Sequence, residues 1–149
     1  MVAREYPSAP IVAVGAVVID SGRVLLVRRN RPPFLGQWSV PGGAVELGET
    51  IEAAVVREVA EEAGLAIAPL AQIKVFDRIE RDSEGRVQFH YLLIDFLCRP
   101  DASEQALRAA SDASDARWVL LSCLRHSPEF VLPEWTLEVI EEGARRMHS

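Results

Sequence analysis

The chain has 149 residues, 49% of them hydrophobic, and 22 acidic against 16 basic side chains give it a formal charge of −6. That length makes one domain, long enough to bury roughly 68 to 70% of its unfolded surface, and the acidic balance leaves no basic stripe for duplex nucleic acid, so a cation is the more natural partner. No run of about 20 apolar residues is present to cross a membrane and the first ten residues lack a signal-peptide layout, so a cytoplasmic protein with reduced Cys98 and Cys123 is expected.

Ile11 to Ile19 and Arg23 to Arg29 read as an antiparallel strand pair turned by Asp20-Ser21-Gly22. The second strand ends in Arg28-Arg29 and runs into Asn30-Arg31-Pro32-Pro33-Phe34. Guanidinium forks at a strand end suit a phosphate or a ribose, and Arg29 is the better placed of the two. Trp38 to Val40 is a short apolar strand, and Pro41-Gly42-Gly43 follows as a loop whose paired glycines let backbone approach an ion or a phosphate closely. The loop has no Gly-Lys-Ser/Thr ending, so it is not a P-loop.

A helix is expected next, with Thr50 as its N-cap and Gly64 as its left-handed stop. Glu58, Glu61 and Glu62 stand at i, i+3 and i+4 on it, where like charges repel by a few tenths of a kcal/mol per pair. They also crowd the negative end of the helix dipole, the wrong end for Glu by roughly 0.3 to 1 kcal/mol each. Val56, Val59, Ala60 and Ala63 fill the opposite sector, so the helix should bury that stripe and turn its acids outward. A chain that accepts both costs needs those oxygens for chemistry.

Beyond the helix, Ala71 to Arg81 and Val87 to Cys98 read as strands joined at Asp82-Ser83-Glu84-Gly85. The second is apolar on both faces, which places it inside a covered sheet. Pro100 to Ser114 is a polar loop with some helical character, Arg117 to Leu121 a strand, and Glu134 to Arg146 a closing amphipathic helix. Phe34, Phe76, Phe89, Tyr91 and Trp135 are each able to stack a base, and none is singled out. Strands and helices interleave as an α/β protein needs, in a three-layer α/β/α sandwich with a mixed sheet.

Clustered carboxylate oxygens suit hard divalent cations, Mg2+ first and Mn2+ as its substitute, which share their coordination with substrate phosphates. Such an ion polarises a phosphoryl oxygen and acidifies water, so hydrolysis of a phosphoanhydride follows. Zinc fits poorly, because His90, His126 and His148 are not spaced with the cysteines as a finger requires.

Gly43, Glu49, Arg57, Glu58, Val59, Glu61, Glu62, Gly64 and Leu65 fill every fixed position of Gly-x5-Glu-x7-Arg-Glu-U-x-Glu-Glu-x-Gly-U, where U is a bulky aliphatic. The 43–65 segment thus resembles the box of the Nudix hydrolase family. The resemblance implies the Nudix fold over a single domain, 1–149, and metal-dependent hydrolysis of nucleoside diphosphates linked to another moiety. It implies Glu58, Glu61, Glu62 and the Gly42 carbonyl as metal ligands, with Glu58 also the candidate that deprotonates water. Glu62, Arg57 and Glu49 complete the catalytic set, Arg57 pairing with Glu49 to hold the preceding loop, while Arg29 and Gly43 face the substrate. A further acidic ligand from a later loop is usual in the family, and Asp112 is the first candidate, ahead of Asp115, Asp101 and Glu104.

The runs Val24 to Arg29 and Trp38 to Gly43, with a strand ending Asp95-Phe96, look most like small bacterial ADP-ribose pyrophosphatases, which makes ADP-ribose the first substrate expected. Arg81, Asp82 and Ser83 stand sixteen to eighteen residues beyond the box, where a Pro marks ADP-ribose hydrolases and a Tyr marks diadenosine polyphosphate hydrolases. The alternatives are a nucleoside triphosphate pyrophosphohydrolase clearing oxidised or non-standard nucleotides, and a sensor that binds a nucleotide sugar without cleaving it. The resemblance also makes a homodimer the assembly to test.

Overall fold

The hairpin expected at the start of the chain forms. β1 (Ile11–Asp20) and β2 (Arg23–Arg29) pair antiparallel, turned by Ser21 and Gly22 with φ of 53° and 73°. Positive φ at both central positions gives the turn whose twist matches that of the strands. The computed structural model describes residues 3–32, 34–102 and 105–147.

The remaining elements are β3 (Trp38–Ser39), β4 (Gly42–Ala44), α1 (Ile51–Ala63), β5 (Ile67–Arg81), β6 (Val87–Pro100), β7 (Ala113–Leu120) and α2 (Glu134–Met147). The sheet runs β3-β2-β1-β6-β5, with β4 added to β1 and β7 to β2. β1 and β6 are parallel and the other pairings antiparallel, so the sheet is mixed. β1 shares one edge between two partners: Ile19 and Asp20 meet β2, while Ala13 to Gly15 meet β4.

Alternation along the strands feeds two cores. Val14, Ala16 and Val18 of β1, with Leu25 and Val27 of β2 and Ile94 and Phe96 of β6, pack under Ala54, Val55, Val59 and Ala63 of α1. Val17 and Ile19, with Val24, Leu26 and Leu97, pack on the other face under Leu137, Val139 and Ile140 of α2. Covering both faces explains why β1 and β2 read as almost unbroken apolar runs, and each fully buried Leu or Val there contributes about 1.5 to 3 kcal/mol. No helix among the described residues is long and apolar enough to cross a membrane.

Four expectations need correction. The glycine segment is not a loop, because Gly42, Gly43 and Ala44 pair with Gly15, Val14 and Ala13 as β4. Strand geometry is open there because a Cβ at Gly42 would collide with the Val14 carbonyl oxygen. β7 begins at Ala113 rather than Arg117, since it pairs with β2 along its whole length, from Arg29↔Ala113 to Arg23↔Leu120. Residues 105–112 form no helix, and β5 starts at Ile67 because β6 continues far enough, to Pro100, to pair with it. Gly42→Ala is expected to destabilise the fold by about 1 to 3 kcal/mol through this backbone collision, read as a lower urea midpoint with an unchanged slope.

Candidate active site

Thr50 caps α1, its hydroxyl accepting from the Ala53 N–H at 3.1 Å, and Gly64 closes it with φ 67° and an N–H donated to the Ala60 carbonyl. The buried face differs from the one expected. Ala54, Val55, Glu58, Val59, Glu62 and Ala63 are inside, and Ala60 is exposed. Glu58 at 7% and Glu62 at 3% exposure are therefore enclosed, and only Glu61 remains open to solvent. β4 is what covers them: a Cβ on Gly43 would stand on the Glu58 carboxylate, and the Gly42 N–H donates to Glu62 Oε2 at 3.0 Å.

Arg57 sits among the acids as their counter-charge. Its Nε and Nη2 grip Glu49 Oε2 and Oε1 at 2.6 and 2.9 Å, Nη2 also donates to the Ala44 carbonyl at 3.0 Å, and Nη1 reaches Glu58 at 2.8 Å and Glu61 at 3.2 Å. The fork ties the loop before the helix, the helix and β4 together, a geometry Lys could not reproduce. Glu49 is held below the usual carboxylate range, first by its bond to Arg57.

Glu62 is pushed far above that range, first by burial and then by the charge of Glu58; the Gly42 N–H opposes the rise. Burial also raises Glu58, against the pull of Arg57. The charge of Glu58 is the second cause of the rise at Glu62, so the two carboxyls disfavour each other's ionised form. Two buried carboxyls that disfavour each other's charge are a donor set that a divalent cation fits, since its charge offsets that repulsion. Among the described residues no three acidic, His or Cys side chains already form a cluster able to hold a metal ion. Glu61 is instead drawn to Arg57.

The other acidic candidates stand apart from this pair. Asp112 is bound by Arg31 at 3.0 Å and Arg4 at 3.8 Å, Asp115 faces Arg117 at 3.1 Å from within β7, and the Asp101 N–H donates to the Ala66 carbonyl beyond the end of α1. Glu104 lies outside the described residues.

A cleft of about 130 Å³ opens on the far side of β4 from Glu58 and Glu62. Gly42 and Gly43 form the partition, and Arg29 and Asp112 stand in the cleft wall. Arg29 feels Glu62 as the largest of the charges that raise it, while burial lowers it overall. Arg78 is stacked between two aromatic rings of the same wall, 4.3 Å from the Phe34 ring centre and 4.4 Å from that of Trp135. Asp95, 2% exposed, also lines the cleft. Sequence reasoning passed over Arg78 and Asp95, although an acid inside the apolar run Tyr91 to Cys98 was a signal for the second.

Residues 9–141 match the family model described as NUDIX domain. The chain belongs to the NUDIX family. It is similar to the ADP-ribose pyrophosphatase of Methanocaldococcus jannaschii, 37% identical over 115 residues that cover 77% of this chain and 64% of that protein. It is also similar to the putative 8-oxo-dGTP diphosphatase 2 of Mycobacterium tuberculosis, 51% identical over 73 residues covering 48% and 49%. The chain thus spans less than two thirds of the length of either relative. The NUDIX domain of Shewanella oneidensis NrtR, solved in complex with ADP ribose, superposes with a TM-score of 0.68 at 27% identity, covering 94% of this chain and 90% of that one. The α/β NUDIX fold is shared along nearly the whole domain.

The buried carboxyl pair sets a sign for pH. A folded-state pKa raised above the unfolded value of about 4.3 means that the metal-free folded protein holds a proton the unfolded chain has released, so stability falls as pH rises above that value. Metal-free Glu62→Gln should lack this loss. By pH 8 it should exceed the metal-free parent by about 1 kcal/mol or more, about 2 to 4 °C in Tm, with the gap closing toward pH 4 in thermal melts.

Proposed function

We propose that this NUDIX protein hydrolyses a phosphoanhydride bond in a nucleoside diphosphate-linked substrate, with Mg2+ bound at Glu58 and Glu62 and Mn2+ as its substitute. The observation that carries this reading is the pair of buried carboxyls, Glu58 and Glu62, packed against the glycines that line an aromatic-walled cleft. The Gly42 carbonyl and Glu61 would add to the donor set. Asp112, held by two arginines, serves better at the cleft rim than as a ligand.

When bound, the ion supplies charge neutralisation for the diphosphate. The chain's own residues do the rest. Arg29 holds a phosphate against the Gly42-Gly43 backbone, which has no side chain to keep it away. Glu58 takes the proton of the attacking water as its oxygen bonds to one phosphorus. The bridging P–O bond breaks, and its electron pair leaves with the departing phosphate. Arg57 and Glu49 hold Glu58 in place and do not touch the reacting atoms.

Two substrate types have support. ADP-ribose follows from the likeness to the archaeal pyrophosphatase and from the ADP-ribose complex of the NrtR domain. Oxidised guanine nucleotides follow from the higher local identity to the mycobacterial protein. The test is product release from ADP-ribose, dinucleoside polyphosphates, nucleotide sugars and 8-oxo-dGTP with Mg2+. Hydrolysis should stop with a chelator, and tight binding without cleavage across the whole panel would identify a sensor instead.

Glu61→Gln and Glu62→Gln are each expected to lower kcat by about 100-fold or more. Glu62→Gln should also shrink the rise in Tm that Mg2+ gives the parent. Normal turnover in either variant would remove the triad from the mechanism.

A further inference from the structure

Four strands set four residues side by side. Lys74 of β5 stands opposite Asp95 of β6, Asp95 opposite Gly15 of β1, and Gly15 opposite Gly42 of β4. Both glycines line the cleft, and the missing side chain of Gly15 leaves the room beside Asp95. Asp95 leans into it. Its Oδ1 occupies the place where a Cβ of Gly15 would be.

The carboxylate has no hydrogen-bond partner among the described residues, although it is 2% exposed. Lys74 acts on it only by charge, its ammonium lying 4.9 Å over the Phe76 ring. Its oxygens open toward the cleft rather than being sealed in the core, so a ligand seated there can bring donors to them. Burial raises this carboxyl to about 6, which still leaves it ionised at neutral pH and able only to accept.

We infer that Asp95 is a specificity-determining residue that accepts hydrogen bonds from the adjacent imino and amino N–H groups of a guanine-type base seated in the cleft. Two acceptor oxygens side by side match two donors side by side. Adenine and cytosine place a ring acceptor next to their amino group, and uracil flanks its imino group with carbonyls, so each sets an oxygen or nitrogen lone pair against the carboxylate. A ribose diol also offers two donors, but Phe34, Trp38, Tyr91 and Trp135 line the cleft with rings that suit the flat faces of a base. The row of residues places Asp95 two strand spacings, about 10 Å, from the β4 glycines that face the phosphates. The inference rests on the cleft being the nucleotide site of the proposed hydrolase.

Calorimetric binding of dGDP, dIDP, dADP and ADP-ribose, with Mg2+, to the full chain and to Asp95→Asn tests it, alongside hydrolysis of dGTP and dATP. The parent should bind dGDP at least tenfold more tightly than dADP, with dIDP, which lacks the 2-amino group, between them. Asp95→Asn should bring dGDP and dADP to near parity, because a carboxamide offers one donor and one acceptor. Should that variant fail to fold, the order dGDP, dIDP, dADP on the parent decides alone. Equal binding of the three, tighter binding of ADP-ribose than of dGDP, binding of none, or an unchanged ratio in a folded variant overturns the assignment. Hydrolysis without base preference overturns the role of Asp95 and leaves the hydrolase standing. The binding order without hydrolysis does the reverse.

Discussion

Glu58 and Glu62 are enclosed between a helix and a strand that has no side chains to offer them, and the local architecture follows from that confinement. Two carboxyls in such a place cannot both be charged without help, so Glu62 is pushed toward its protonated form while Arg57 compensates Glu58 from the side. Arg57 can do so because Glu49 orients it through two bonds and the Ala44 carbonyl through a third. The cap at Thr50, the loop from Val45 to Glu49 and the short strand β4 therefore form one electrostatic unit. It keeps acidic oxygens where charge repulsion alone would drive them apart.

Close approach of backbone is the second constraint. Gly43 makes room for Glu58, Gly42 for the Val14 carbonyl and Gly15 for Asp95. On one side of β4 this yields the buried acidic pair, and on the other an open floor bounded by aromatic rings and Arg29. The parallel pairing of β1 with β6 brings Asp95 to that floor, and α2 brings Trp135.

Much of this architecture was legible in the chain before any coordinates. The hairpin at Ser21-Gly22, the caps at Thr50 and Gly64, the β5 to β6 turn and the closing helix depend on neighbours a few residues apart, and local chemistry decides them. The box residues were legible for the same reason, since their spacing on one helix is a local property. The errors share a cause. β4 looked like a loop because glycine favours turns, and only pairing with β1, about 30 residues away in sequence, made it a strand. Asp115 was expected in a loop before a strand from Arg117, until pairing with β2 extended β7 over it.

The amino-acid sequence by itself determined the family pattern, the three acids on one helical face, the arginine that answers them and the two-sided apolar sheet, because periodicity and spacing carry all four. Only the tertiary structure decided which acids are buried, that Asp112 faces arginines, that Arg78 lies between Phe34 and Trp135, and that Asp95 stands over Gly15. Burial, charge pairing and stacking arise between segments far apart in the chain. Strand order and register set them, and neither is written in any local stretch of residues.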